Sequence, residues 1–331
     1  MKQYLIPEKG HFYKANLHCH STISDGHLTP AQIKEIYKEQ GYSVVAYTDH
    51  EILAPQNHLA DETFLPLNGV EFAVKEQYGP DKTVGQQCHF CCIALEPDNI
   101  YTPCYHSSKY VFPKTDRSLA TPIPGEPDFE REYTPECINT MVAKAKDAGF
   151  FVSYNHPDWS LQDKDAYGKY DGFQAVEIYN NACVTMGYED YNPKVYDTML
   201  RLGKKLYCLA TDDNHNNPDK NWDSFGGFVM IKADKLEYRT ITKALEDGHF
   251  YASCGPEIHA LWMEEGKVHI RCSEAARIHM TTARRRRQLI LPEPGKLLTE
   301  AVMEVFPEDI YFRITVTDKT GTHAATNAYF L

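Results

Sequence analysis

The stretch NLHCHSTISDG, residues 16–26, sets two histidines, His18 and His20, one residue apart, with Asp25 five residues further on. In an extended segment side chains alternate, so His18 and His20 point together while Cys19 points away. Two imidazoles converging beside a carboxylate are the start of a metal site. Comparable groups recur down the chain. TDH ends at His50, GVEF holds Glu71, CHFCCIAL holds His89, NHP holds His156, and TDDNH holds Asp213 and His215. The same alternation makes Asp213 the partner of His215 and turns Asp212 elsewhere. Any one of these residues alone reads as structural: Asp25 could make a turn with Gly26, and His89 could sit in the core. The joint pattern is different, with six histidines and three carboxylates at or near consecutive strand-like segments. Neutral imidazole and carboxylate ligate Zn, Mn and Fe. Nine such groups exceed the needs of one ion, so two or three divalent metal ions are expected.

Those groups need a scaffold that gathers strand ends. Three segments share one helix grammar: TPAQIKEIYKEQG from Thr29, TPECINTMVAKAKDAG from Thr134, and NPKVYDTMLRLG from Asn192. Each opens with a capping side chain and a proline and closes at a glycine. Each is followed by a short apolar run, at 43–48, 150–155 and 205–211. With further candidates at 14–20, 66–72, 88–95 and 173–180, seven strands are predicted, each short enough to line a barrel. Helix, glycine and buried strand in turn predict an α/β fold with parallel strands, whose C-terminal ends are where barrel sites form. LEYRTITKALEDG (236–248) reads as the last helix. Beyond Gly255-Pro256 the runs 267–273 and 310–318 alternate apolar and polar, which predicts a small antiparallel, sandwich-like β-domain over 256–331. The stretch 96–133 is rich in Pro, Tyr and Ser and lacks periodicity. It reads either as a lid or substrate wall or as a surface excursion.

The 331 residues allow two domains, and the net charge of -12 disfavours strong nucleic acid binding. No apolar run reaches the roughly 18 residues that would span a bilayer. With Met1 as the natural start and no secretory signal, a cytoplasmic location is expected. Ten cysteines lie partly inside apolar runs and read as free, buried thiols. Cys88 and Cys91 form a CxxC, but it lies within a strand-like run and has no second pair to complete a zinc site.

Taken in order, HxH (18–20), TDH (48–50), GVEF (69–72), NHP (155–157) and DxH (213–215) closely resemble the PHP family, named for polymerase and histidinol phosphatase. The resemblance covers roughly residues 11–250. It implies a distorted (β/α)7 barrel over 1–255 with a ligand role for His18, His20, Asp25, His50, Glu71, His89, His156, Asp213 and His215. Glu71 would bridge the metals. The joint at 248–258 and the β-tail are similar to a branch of the family with a C-terminal β-domain, which includes phosphoesterases and an enzyme that cleaves an aryl carbamate. Family resemblance therefore leaves the bond cleaved open.

The first expectation is hydrolysis of a phosphate mono- or diester, from a small phosphoester or nucleotide-like substrate. Water activated between the metals would attack, and no protein nucleophile is needed. A carbamate, amide or carboxyl ester on the same metals is the second, and a non-catalytic metal-binding interaction module the third. Trp159, Tyr179 and Asn180 lie near strand ends as candidate substrate contacts, where an aromatic would stack on a substrate base or ring or close the barrel rim. Arg117, Lys109 and Lys114 in the long loop could pair with phosphate. The run ARRRRQ (Arg284 to Arg287) reads as a solvated edge or hairpin. A hold on a polyanionic substrate would require the β-domain to pack at the barrel mouth.

Overall fold

The computed structural model describes residues 2–78, 83–189, 191–220 and 222–331. Along the chain run β1 (Gln3–Tyr4), β2 (His11–Asn16), α1 (Pro30–Glu39), β3 (Val44–Tyr47), β4 (Leu65–Tyr78), β5 (Thr83–Ala94), α2 (Pro135–Asp147), β6 (Phe150–Tyr154), α3 (Lys164–Tyr167), β7 (Ala175–Asn180), α4 (Asn181–Thr185), α5 (Pro193–Arg201), β8 (Tyr207–Thr211), β9 (Phe228–Ala233), α6 (Tyr238–Glu246) and β10 (Phe250–Ser253). The strands that follow are β11 (Ile258–Glu264), β12 (Lys267–Ala275), β13 (Arg277–Thr282), β14 (Gln288–Ile290), β15 (Leu298–Glu304), β16 (Tyr311–Thr317), β17 (His323–Thr326) and β18 (Tyr329–Phe330).

Where the helix grammar is complete, helices form. Thr29 and Gln32 make a reciprocal capping box at α1, Thr134 accepts from Cys137 N at α2, and Asn192 accepts from Val195 N at α5. Gly41 and Gly203 end α1 and α5 with φ of 75° and 88°, a region that penalises a Cβ. The apolar faces of α2 and α5 pack on the outside of the sheet, where Ile138, Met141, Val142 and Met199 meet Val70, Phe90 and Val152.

The strands depart from a uniform parallel repeat. β2, β3 and β4 pair in parallel, as do β6, β7 and β8. Between these two groups, β5 pairs antiparallel with both β4 and β6. The cause is the connection. β4 and β5 adjoin in sequence, and a short link cannot make the crossover that a parallel pair needs. The two strands run 14 and 12 residues, far longer than the expected 66–72 and 88–95. β9, which the sequence reading did not single out, pairs antiparallel with β2. The seven expected strands all form, but not as a uniform repeat of helix and parallel strand, since β5 runs antiparallel to both its neighbours.

One cluster fills the interior of this curved sheet, drawing Ala15, Val44, Leu67, Ile93, Phe151, Ala175 and Leu209 from seven successive strands. α6 seals one side of that cluster with Tyr238, Ile241 and Leu245. No ladder joins β8 to β2 among the described residues. Instead the chain just past each strand meets. Asp213 N donates to His18 O at 2.9 Å, and His20 N donates to Asn214 O at 3.0 Å.

After residue 255 the described elements are strands apart from one 3-10 turn, Pro307–Asp309. β1, β11, β12 and β15 make a four-stranded sheet, while β13, β14, β16 and β17 continue the large sheet through a β17–β10 pairing. The two sets share a core that includes Leu261, Ile270, Ile278, Met280, Ile314 and Val316. The N-terminal strand β1 belongs to the first of these sheets, on β11. No helix among the described residues is long and apolar enough to cross a membrane.

Candidate metal centre

All nine residues expected from the sequence gather at one end of the curved sheet. His18 and His20 lie just beyond β2, where Cys19 is held extended by Thr48 on one side and Asn214 on the other. Alternation then acts as expected. The two imidazoles face inward with centroids 5.1 Å apart, and Cys19 packs outward near Ile33, Tyr37 and Val45. Asp25 is presented by a turn tied to the buried Asp49, which accepts from the backbone N and hydroxyl of both Ser21 and Ser24. His50 follows β3 and bridges to Glu71 in β4. Asp213 enters differently from the alternation argument. β8 stops at Thr211, and Asp213 turns inward on a left-handed backbone, φ 53°. Asp212 does point elsewhere, accepting from Phe225 N, Gly226 N, Gly227 N and the Tyr37 hydroxyl.

Glu71 is the hub. Its two carboxylate oxygens lie within 3.0–3.4 Å of ring nitrogens from five histidines: His18, His20, His50, His89 and His156. Asp213 Oδ1 is 3.1 Å from His18 Nε2 and 3.0 Å from His20 Nε2. Asp25 stands further out, 3.5 Å from His215 Nε2 and 3.7 Å from His50 Nε2. Five ligand groups result among the described residues, including His18, His20 and Asp213; Glu71, His89 and His156; and His20, Asp25, His50 and His215.

The ring tautomers decide whether this set suits a cation. His18 Nδ1 donates to Glu177 Oε1 at 2.7 Å, His89 Nε2 donates to Gln87 Oε1 at 3.1 Å, and His215 Nδ1 donates to the Asp213 carbonyl at 2.8 Å. Each of these acceptors lacks a proton to give, so the outer ring nitrogen carries the hydrogen. The inner nitrogen of a neutral ring then offers a lone pair, and it faces carboxylate oxygens that also offer lone pairs. Acceptor against acceptor is repulsive unless a proton or a metal cation lies between them. His20 adds a buried Nδ1 with no hydrogen-bond partner among the described residues. The donor set therefore fits divalent metal: imidazole nitrogens with outer-edge anchors, converging on carboxylates.

Protons respond to the same field. Burial works against charge on His18 and His20, yet Asp213 and Glu71 outweigh it and hold both well above an ordinary imidazole. His156 is lifted to about 9 by its hydrogen bond to Glu71 and by Asp213, again against burial. Burial and the neighbouring His20 push His50 down to about 3, and burial lowers His89. Despite burial, the imidazoles hold Glu71, Asp213 and Asp25 below the usual carboxylate range. Asp212, desolvated and out of the cluster, rises to about 7.

The cluster forms the floor of a cavity of about 960 Å³. Trp159 lines it, its ring 5.0 Å from His156 and 5.4 Å from His89. The other expected substrate contacts lie elsewhere. Asn180 is buried, caps α4 and donates to Glu177 and Asp213. The Tyr179 hydroxyl donates to Asn181. Arg117 donates to carbonyls of His106, Ser107 and Val111, tying its own loop together. Lys109 pairs with Glu130. What the stretch 96–133 does bring to the cavity is Tyr110, Phe112 and Arg131. Arg131 forks onto Glu51 at 2.8 and 2.6 Å and packs under the Tyr110 ring. Lys75 and Lys220 complete the cationic lining.

Glu177 is the main residue that sequence reasoning missed. It accepts from His18 Nδ1, His156 N, the Thr211 hydroxyl and Asn180 Nδ2. The signal was there: an acid inside AVEIYN, an otherwise apolar strand, must find buried partners. The CxxC divides by face. Cys91 lies beside His18 and Glu71, while Cys88 joins the outer core with Phe90 and Cys92. The ARRRRQ run is the β13–β14 hairpin and does not line this cavity.

No protein-family model matches the chain, and comparison with curated proteins gives no match. Among solved structures, the chain is similar to a two-domain protein from Bacteroides vulgatus predicted to contain a PHP-like metal-dependent phosphoesterase (TM-score 0.42, 14% identity, 99% of this chain and 98% of that one). A protein from Bifidobacterium adolescentis, named for an inferred metal-dependent phosphoesterase activity, gives 0.40 and 14% over 66% of this chain and 94% of its own. An amidohydrolase from Chromobacterium violaceum with bound sulfate and no metal gives 0.41 and 16% over 63% and 89%. At such scores these likenesses carry no weight for the chemistry, which rests on the cluster itself.

Proposed function

We propose that the protein is a metal-dependent hydrolase that cleaves phosphate mono- or diesters. The observation that carries the reading is the hub: one buried carboxylate, Glu71, in contact with ring nitrogens of five imidazoles. His18, His20, Asp213, Glu71, His89, His156, Asp25, His50 and His215 would hold two or three divalent ions of the zinc, manganese or iron type, with Glu71 shared between ions. Such ions supply Lewis acidity, neutralising charge on a phosphoryl group and acidifying water.

The chain's own residues supply the rest. Glu177 fixes the His18 ring, and Asn155, donating to Glu71 Oε1 at 2.8 Å, fixes the hub. Lys75 and Lys220 face the cavity and form no ion pair among the described residues, so they are placed to attract and orient an anionic ester. Trp159 and Phe112 give a wall against which the organic part of the ester can pack and from which water is displaced. Asp25, the most exposed of the three expected carboxylates, stands beside His215 at the cavity edge, where it would close the outer side of the ligand set. These lysines favour a phosphate over an uncharged carbamate or carboxyl ester.

The test is turnover of nitrophenyl phosphate, bis-nitrophenyl phosphate and nitrophenyl acetate, each before and after chelation with metal removal verified by elemental analysis. Chelator-sensitive turnover of a phosphate ester is expected. Turnover of the acetate alone would move the reading to carboxyl or carbamate esters. Turnover that survives verified metal removal would reject it.

A further inference from the structure

A second cavity, of about 330 Å³, lies where α5 meets the β13–β16 pair. Its wall is unusual for a buried sheet face. β16 is buried along its whole length. One face, with Phe312, Ile314 and Val316, enters the apolar C-terminal core beside Ile278 and Met280. Alternation puts Arg313 and Thr315 on the other face. Across the ladder they meet Thr281 and His279, with Arg277 next in line. A face packed against a helix is ordinarily apolar. This one is built of arginine, histidine and threonine.

The charges do not balance. The cavity is lined by Lys194, Arg201, Arg277, Arg287 and Arg313 against the single carboxylate Asp197. Asp197 is already shared. Arg313 forks onto it at 2.7 and 3.0 Å, and Arg201 approaches to 3.9 Å. Among the described residues Arg277 and Arg287 form no ion pair with an acid. His279 records the resulting field, since burial and then Arg313, Arg277 and Arg287 hold it down to about 4. Independently of charge, Thr281 is 1% exposed, lines the cavity, and its hydroxyl has no hydrogen-bond partner among the described residues. A buried hydroxyl left unpaired costs stability unless something in the cavity takes its hydrogen bond.

We propose that this cavity is a second ligand site, taking a phosphate-type oxyanion between Arg277, Arg287 and the Thr281 hydroxyl. Guanidinium forks match the oxygens of a tetrahedral dianion, and the hydroxyl supplies one further donor. The volume accommodates free phosphate or the phosphate group of a small monoester. The Arg313–Asp197 pair is the rigid back wall, leaving Arg277 and Arg287 on exposed positions to receive the ligand. This assignment is independent of the chemistry at the metal cluster, and it accounts for Arg287, the last of the ARRRRQ run.

The test is calorimetric titration of full-length protein with inorganic phosphate, and separately with glycerol phosphate, for wild type, the Arg277→Ala/Arg287→Ala double variant and Thr281→Val. One phosphate-binding event should weaken at least tenfold in the double variant and several-fold in Thr281→Val. In phosphate-free buffer, Thr281→Val should melt no lower than wild type, because it removes an unpaired hydroxyl without changing shape. Tighter binding of glycerol phosphate than of phosphate would assign the site to a monoester, and the reverse to the free ion. Should the double variant fail to fold by circular dichroism, Arg287→Gln and Thr281→Val decide. Phosphate binding unchanged in the folded variants, or absent from wild type, overturns the proposal. So does a drop in melting temperature for Thr281→Val without phosphate.

Discussion

Glu177 Oε1 lies 2.7 Å from His18 Nδ1, on the ring edge opposite the one that faces Glu71 and Asp213. The Glu177 carboxylate is surrounded only by donors, with Thr211, Asn180 and the His156 backbone N completing its shell. It has no freedom to rotate away, so it fixes both the tautomer and the direction of the His18 lone pair. Outer partners of this kind raise the basicity of a ligand as well as orienting it.

Glu177→Gln should therefore weaken metal binding by about 10–100-fold while leaving the fold intact. The substituted amide would have to turn its NH2 toward at least one of those donors. Competition against a fluorescent chelator measures the affinity, and circular dichroism checks the fold. Unchanged affinity would remove Glu177 from the site.

Arg131 and Glu51 form a buried, two-pronged ion pair that ties the stretch 96–133 to the cavity. Arg131→Ala would strand the Glu51 charge, and a loss of about 3–5 kcal/mol is expected in urea unfolding. Arg131→Met with Glu51→Gln removes both charges and should recover most of it. A double variant no more stable than the single one would mean that packing, and not the stranded charge, sets the cost.

Much of this was legible in the sequence, and the physics says which part. Local rules sufficed for the capped helices, since Thr29, Thr134 and Asn192 satisfy their own helix ends. Alternation sufficed for His18 and His20. It failed at Asp213, which turns on a positive φ past the end of β8, a choice made by long-range bonds to the 18–20 segment. The β4–β5 pairing was hidden because 66–72 and 88–95 looked like separate short strands. Arg131 was passed over for Arg117 because position in a long loop says nothing of which arginine finds a buried acid. Arg287 looked like one of four solvated charges, and only the packing of α5 on β13 and β16 distinguishes it.

Lys75 and Lys220 separate the phosphoester reading from its neutral-ester rival. Lys75→Ala and Lys220→Ala should each raise KM for nitrophenyl phosphate by about tenfold, roughly one lost charge-assisted contact, with kcat nearly unchanged. Turnover of nitrophenyl acetate, if any, should not respond. Equal effects on both esters would assign the lysines to the shape of the cavity.

Metal uptake should release protons, with a definite sign in pH. In metal-free protein His156 is lifted to about 9, so it is charged at neutral pH and must lose that proton to ligate. His50, depressed to about 3, is already neutral and releases nothing above about pH 4. Apparent affinity should rise from pH 6 to 9, and proton release should shrink as pH passes through 9. The same raised value means that the His156 proton stabilises the metal-free fold below about pH 6.5, a contribution lost as pH rises through 9. Calorimetry in two buffers of different ionisation enthalpy counts the protons. Release that is absent at pH 7, or grows toward pH 10, would contradict the assignment.

The central claim is that inward imidazole nitrogens and the Glu71 hub hold divalent ions. Elemental analysis after loading with zinc, manganese or iron and desalting tests it most directly, on wild type and on Glu71→Gln confirmed folded. Two to three equivalents per wild-type chain, falling to one or fewer in Glu71→Gln, is the predicted result. A folded wild type that retains no metal, or a variant that retains as much as wild type, would contradict it.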